Sequence, residues 1–142
     1  MMLAVVVYAA FMISSVHGEV QQPEVTMDNL VAFLSSDATD QHEYLPWFTC
    51  GHFARDLARN ASAQNITIGS AIVGNHPTFL GHENHIINYI YIDNELVFIE
   101  PQTDIRMHLA DVLYEWQFIR LYPDGTQVPT YRRHGLAPTI RG

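Results

Sequence analysis

The sequence predicts an α+β protein in which a helix that carries a cysteine packs on an antiparallel β-sheet. Apolar residues recur at helical spacing after Cys50, the one cysteine in the sequence. Two apolar runs, 85–92 and 95–99, flank Asp93-Asn94, which is typical of a β-hairpin with a two-residue turn. The 142 residues are 48% hydrophobic, so we expect one globular domain with its own core.

The first eighteen residues differ from the rest of the chain. The apolar stretch from Leu3 to Ile13 is too short to span a bilayer comfortably and has the length of a signal-peptide core. We predict that residues 1–18 form a signal peptide or an N-terminal hydrophobic anchor, and that residues 19–142 form a single domain. The protein is then secreted or at the cell surface, with membrane contact only if the segment is retained. Because no Lys or Arg precedes the apolar stretch, a mis-assigned start or a buried element is the alternative.

The charges limit the class of partner. The formal net charge is −8, all seven cationic residues are Arg, and they form no basic stripe. We therefore expect no nucleic acid as partner. The sequence also lacks a glycine-rich phosphate loop and the Gly-x-Ser-x-Gly motif of serine hydrolases. We predict neither a cofactor nor a metal.

Two helices are predicted before the hairpin. Thr26 is the expected N-cap of a helix over residues 27–36. Thr49 is the expected N-cap of a second helix, which places the thiol of Cys50 in the first turn. Spacing predicts a buried face and a solvent face for this helix. The buried face is Cys50, Phe53, Ala54, Leu57, Ala58 and Ala61, and the solvent face is Arg55, Asp56 and Arg59.

The rest of the chain is predicted to be mostly strands. Composition and alternation predict a strand over 66–73, a loop over 74–84, the hairpin, a helix over 105–116, a strand over 117–122 and an irregular tail from 126.

The hairpin register predicts which side chains lie together. A two-residue turn places Tyr91 opposite Leu96 and, further along, His85 opposite Gln102. Side chains alternate between the faces of a sheet, so four of them are expected on one face. They are His85, Ile87, Glu100 and Gln102.

These residue types suit nucleophilic catalysis. A thiolate is the reactive form of cysteine, and both a helix N-terminus and an adjacent imidazolium stabilise it. The same imidazole can later protonate a leaving amine. Glu100 or Gln102 can orient the ring of His85, and Glu100 also stabilises its cation.

Three segments resemble the transglutaminase-like superfamily of papain-type cysteine enzymes. Residues 50–58 resemble its nucleophile helix, 85–88 its histidine strand and 98–104 its acid strand. The pattern His-x-x-Asn … Glu-Pro-Gln-Thr-Asp is most similar to that of poorly described archaeal and bacterial surface proteins. The resemblance implies the same α+β core and acyl chemistry on amides. The superfamily usually has Asp where this chain has Glu100.

The sequence therefore predicts a secreted or surface cysteine-dependent hydrolase or acyltransferase that acts on peptide or side-chain amides of a peptide or protein substrate. Cys50 is the predicted nucleophile, His85 the base and then the acid, and Glu100 or Gln102 the orienting group. The backbone amide of Cys50, with a group from residues 44–49, is expected to hold the oxyanion.

Three alternatives stay open. His82 is a rival for the general base. A catalytically silent surface or adhesion module with the same fold is the second alternative. The third is a zinc-binding domain, in which the ligands are His76, His82 and His85 with Cys50 or Glu83.

Overall fold

The computed structural model describes residues 24–78, 81–122 and 130–133, with the backbone alone at 76–78 and at position 82. The predicted leader, residues 1–18, lies outside the described residues. The elements, in chain order, are α1 (Met27–Ser36), a 3₁₀ turn (Thr39–Gln41), α2 (Cys50–Ser62), β1 (Gly69–Thr78), β2 (Gly81–Ile92), β3 (Glu95–Glu100), β4 (Ile105–His108), α3 (Leu109–Glu115), β5 (Phe118–Tyr122) and β6 (Thr130–Arg132).

The described strands form one antiparallel sheet in the order β4-β3-β2-β1-β5-β6. This arrangement confirms the predicted α+β class with a cysteine-bearing helix and an antiparallel sheet. None of the described helices has the length and apolar character needed to cross a membrane.

The sheet is covered on both faces. On one face, α1 and α2 bury a cluster that includes Leu30, Phe33, Leu34, Leu57, Ala61, Ile66, Ile68, Ile90, Ile92, Val97 and Ile99. On the other face, α3 and the residue after it cover Ala71, Val73, Ile87, Tyr89, Phe98, Val112, Trp116, Ile119 and Leu121. Neighbouring residues of β2 belong to opposite clusters because strand side chains alternate.

The elements that carry the site follow their sequence signals. The first helix spans residues 27–36, and its N-cap Thr26 accepts a hydrogen bond from the amide of Asn29. The second helix begins at Cys50, as predicted. The hairpin turn is also confirmed, because Asp93 and Asn94 have φ values of 52° and 63° and Tyr91 pairs with Leu96. These left-handed values suit a two-residue turn, and Asp and Asn tolerate them well.

The predicted loop over residues 74–84 is wrong. β1 continues through Thr78 and β2 begins at Gly81, so most of this segment is a paired β-ribbon. The register shifts between Gly74 and His76, where Asn75 has a φ of 67°. Cross-strand pairing and a bulge stabilise a polar segment that lacks strand propensity of its own.

Three further boundaries differ from the prediction. The strand expected to begin at residue 66 begins at Gly69. The helix expected over 105–116 is divided, because residues 105–108 pair with β3 before the helix begins at Leu109. The tail expected to be irregular contains β6, which pairs with β5. The last two differences result from pairing with the preceding strand, which overrides local pattern.

One residue of α2 was assigned to the wrong environment. Asp56 was expected to face water, but it is 8% exposed. Its Oδ1 accepts from the side chain of Arg55 at 2.9 Å and lies 3.5 Å from Arg59 Nη2. The two exposed arginines supply the charge that a largely buried carboxylate requires.

Asn88 ties α2 to the sheet from a fully buried position. Its Nδ2 donates to the carbonyls of Ala54, at 2.9 Å, and Gly69, at 3.2 Å. We expect Asn88→Ala to lower the free energy of unfolding by about 2–3 kcal/mol, because both carbonyls lose a buried donor. Denaturant titration measures this loss. The exposed Gln64→Ala is the control, and an equal change in the two variants would contradict the bridging role.

Candidate active site

The imidazole of His85 is bound to the carboxylate of Glu100. Their Nε2 and Oε2 atoms are 2.6 Å apart, and the side chains are 19% and 20% exposed. The last residue pair between β2 and β3 is Asn88 with Ile99. Glu100 thus lies one residue beyond the last pair between β2 and β3, at the end of β3. Its side chain reaches diagonally to His85. This short charge-assisted bond fixes the ring.

Gln102 does not lie opposite His85 on a strand, so that part of the predicted register is wrong. β3 ends at Glu100, and the chain turns there, with the amide of Asp104 donating to the Glu100 carbonyl at 2.8 Å. The backbone N–H of Gln102 donates to Glu100 Oε1 at 3.3 Å. Gln102 therefore helps to hold the carboxylate and lines the same cleft, while Glu100 holds the ring.

Cys50 occupies the first position of α2 as a half-buried free thiol. Residues on either side of Cys50 cap the start of α2: the amide of Thr49 donates to Nδ1 of His52 at 3.2 Å. The ring of His52 therefore acts as part of the N-terminal cap of α2. The first amides of a helix have no intrahelical acceptor, so the N–H of Cys50 is available beside its own sulfur.

Alternation places His85 and α2 on opposite faces of the sheet. Asn88 faces α2, whereas Ile87 belongs to the cluster beneath α3. His85 shares the face of Ile87, and its ring stacks on that of Trp116, with 5.8 Å between centroids and 24° between planes. The prediction that thiol and ring meet where α2 packs on the sheet is therefore wrong, although both side chains line one cleft.

The thiol and the ring line one cleft beside the open edge of β2. Because β3 ends at Glu100, β2 has no described neighbour on that side at His85. The N-terminus of α2 brings Cys50 to this opening, where both side chains line one cleft. The thiol is also near enough to contribute, by hydrogen bonding and by charge, to the pKa of His85.

The surroundings of His85 favour its cation. Burial alone lowers the pKa of the imidazole, but hydrogen bonding and charge from Glu100, and then from Cys50, raise it to about 9. The ring is therefore an imidazolium at neutral pH, held between a carboxylate and a sulfur. An imidazolium in this position stabilises a thiolate and can donate a proton.

The cleft around these groups has a volume of about 610 Å³. A cleft of this volume can hold a short segment of a peptide. The described lining residues are Tyr44, Cys50, Glu83, Asn84, His85, Ile87, Glu100, Gln102, Thr103, Ile105, Met107, Glu115 and Trp116.

The sequence analysis missed the contact between Trp116 and His85. Trp116 was predicted as part of a helix with no link to the histidine. It follows α3, which β4 and β5 position against the second face of the sheet. Ile105 was also missed as a rim residue, whereas Tyr44 belongs to the segment expected at the site; they are 57% and 56% exposed. The exposure of these large side chains at the cleft is evident from the structure and not from the local sequence.

Other predicted alternatives depend on side chains outside the described set. The side chains of His76 and His82 are among these, so the rival base and the proposed zinc ligands stay predictions. Among the residues that the structure describes, no group of three or more His, Cys, Asp or Glu could hold a metal ion.

Asp104 lies in a crowded acidic corner beside the site. Burial, and then the charges of Asp40 and Asp37, raise the pKa of its carboxyl to about 6. Its Oδ1 is buried without a hydrogen-bond partner among the described residues. The folded protein therefore holds a proton that the unfolded chain releases at lower pH, and the free energy of unfolding falls as pH rises from 3.8 to about 6.

We expect Asp104→Asn to stabilise the protein at neutral pH. After allowance for the exposure of Asp104, the gain is about 1 kcal/mol, or about 2–4 °C in Tm. Asn tolerates the φ of 57° at this position. Thermal unfolding from acid to neutral pH measures the gain, which should disappear in acid. Asp93→Asn, also at positive φ, is the control. An equal gain at all pH values would contradict the electrostatic explanation.

Comparison with known proteins assigns the chain to no family. No family model matches the chain, and no curated protein matches it. Among solved structures, one titled "PSL1a-E64 complex" is similar over 63% of this chain, with 16% sequence identity and a TM-score of 0.48. The matched region is 36% of that chain's length.

Proposed function

We propose that the protein is a cysteine-dependent hydrolase or acyltransferase with a transglutaminase-like core, acting on peptide or side-chain amides. The observation that carries this proposal is the position of His85, bound to Glu100 at 2.6 Å and interacting with the thiol of Cys50 in one cleft. Nucleophile, acid–base group and orienting carboxylate are the three parts that such chemistry needs.

The two ring nitrogens of His85 have different partners in this proposal. Nε2 of His85 is bonded to Glu100, so Nδ1 is the nitrogen left for the thiol. The imidazolium then stabilises the Cys50 thiolate and holds the proton that a leaving amine requires. Glu100 fixes the ring orientation and offsets its charge. A glutamate fits here because it reaches from the end of β3 to a ring two residues beyond its register partner.

Acylation starts with attack of the Cys50 sulfur on the amide carbonyl carbon. A C–S bond forms, and the carbonyl π electrons move to oxygen, which accepts a hydrogen bond from the N–H of Cys50. When the tetrahedral intermediate collapses, the C–N bond breaks and the imidazolium of His85 gives its proton to the nitrogen. The products are a free amine and a thioester on Cys50.

Deacylation reverses the proton path. Neutral His85 accepts a proton from water or from a second amine as that nucleophile attacks the thioester carbonyl. The C–S bond breaks, and sulfur leaves as thiolate beside the restored imidazolium. Water gives hydrolysis or deamidation, and an amine gives transfer.

The predicted location is part of the proposal. A protein of this kind is secreted or at the cell surface, where it meets a peptide or protein substrate, and nothing in its chemistry calls for nucleic acid or a cofactor.

A peptide mixture with an added primary amine tests the function. We expect the unaltered protein to produce cleaved peptide bonds, deamidated side chains or incorporated amine, each detected by mass spectrometry. Cys50→Ser should remove every such product, whereas His108→Asn, at an exposed histidine on β4, should not. If the unaltered protein gives no product, or gives the same products as Cys50→Ser, the proposal is wrong, and the first of these results favours the silent binding module.

A further inference from the structure

The cleft has negative charge beyond that of the proposed catalytic groups. Glu100 is paired with His85, and this pair carries no net charge while the imidazole is protonated. Glu83 is an exposed carboxylate in the same lining, and Glu115 adds a third. Glu83 therefore leaves an anionic position at the mouth of the site.

Among the described lining residues, no Lys or Arg offsets the charge of Glu83. The chain contains no Lys, and none of the described lining residues is an Arg. Arg55 and Arg59 bind Asp56 on α2, and Arg133 lies over the ring of Tyr114, 5.5 Å from its centroid. A ligand is thus the complementary source of positive charge.

The position of Glu83 determines which residue of a peptide substrate carries the complementary positive charge. Glu83 precedes His85 by two residues on β2, so both side chains project from the same face. At about 3.3 Å per residue, they are roughly 6–7 Å apart along the strand. An extended peptide has the same spacing, and the edge of β2 has no described strand neighbour here.

We propose that the cleft selects peptides with a cationic side chain, Arg or Lys, two residues from the amide that reacts. The location of that amide rests on the proposed function. The positive side chain meets Glu83 while the reacting carbonyl lies between Cys50 and His85. Tyr44 and Ile105 at the rim cover the aliphatic part of the side chain.

Binding to the full-length Cys50→Ala variant tests the selection without turnover. The probes are capped, fluorescein-labelled alanine peptides with one central Gln and either Arg or its neutral isostere citrulline at each flanking position in turn. We expect the Arg peptide to bind about three- to fivefold more tightly than the citrulline peptide, with the maximum two residues from the Gln. The preference should decrease as salt rises.

Two charge variants locate the effect. Glu83→Gln, added to Cys50→Ala, should remove the preference for Arg. Glu95→Gln, at the far end of β3, removes the same charge and should leave the preference unchanged. Equal binding of both peptides, no detectable binding, or a preference that survives Glu83→Gln would overturn the inference.

Turnover separates this inference from the function on which it rests. If the unaltered protein processes amides without favouring Arg, only the selection is wrong. If Arg peptides bind selectively but no product forms, the selection stands and the enzymatic function is wrong.

Discussion

Replacing Cys50 with Ala is expected to lower amide turnover by about 10³-fold or more, because the thioester cannot form without sulfur. His85→Asn should cause a loss of similar size, since the same step loses its proton donor. The double variant should be little worse than either single one, because the two residues act as a unit. Product formation by mass spectrometry measures all three.

The fold provides the control for this prediction. Cys50 is half-buried at a helix start, so removal of its sulfur should leave the unfolding transition within about 1 kcal/mol of the unaltered protein. A folded Cys50→Ala variant with full turnover would contradict the assignment of the nucleophile.

Glu100→Gln is expected to lower the pKa of His85 by about two units or more. Burial of the imidazole lowers its pKa, and Glu100 provides the largest opposing contributions, which raise it to about 9. With a neutral amide in that place, the ring should be largely uncharged at neutral pH. Turnover should fall by about 10²-fold, since both the cation and the orientation of the ring are weakened.

NMR titration of imidazole-labelled protein measures this shift directly. Glu95→Gln removes the same charge far from the ring and should leave the His85 titration where it is. A His85 midpoint that is the same in Glu100→Gln and in the unaltered protein would show that the carboxylate does not control the ring.

The pH dependence of the free energy of unfolding is a second test of the pair formed by His85 and Glu100. The folded-state pKa of His85 is raised above its ordinary value of 6.5, so this residue stabilises the folded protein most below that pH. The contribution is lost as pH rises to about 9. Glu100→Gln should therefore lose stability in neutral and acidic solution and little above the folded-state pKa.

Local sequence was sufficient for the elements that hold the site. Thr49 followed by helical spacing located Cys50 at a helix start, because caps and periodicity are local properties. Asp93 and Asn94 fixed the hairpin because both tolerate positive φ. From that turn, counting along two strands brought His85 and Glu100 to the same face, and their contact follows.

The remaining features depend on packing that local sequence does not contain. Gln102 left the predicted register because β3 ends at Glu100 and the chain turns there. Alternation placed His85 on a face but did not show which face α2 covers. The position of Cys50 and His85 in one cleft depends on both facts. The stacking of Trp116 on the ring joins two residues 31 positions apart, a contact that no local pattern indicates.

The most direct test of the central claim is the alkylation rate of Cys50 by iodoacetamide as a function of pH, in the unaltered protein and in His85→Asn. Since thiolate is the reacting species, the imidazolium of His85 should keep the unaltered protein reactive in mildly acidic solution. At about pH 6, we expect it to react at least roughly tenfold faster than His85→Asn. The variant should react slowly at this pH, because no imidazolium stabilises its thiolate. Superimposable profiles for the two proteins would show that sulfur and imidazole do not act together, and would contradict the account.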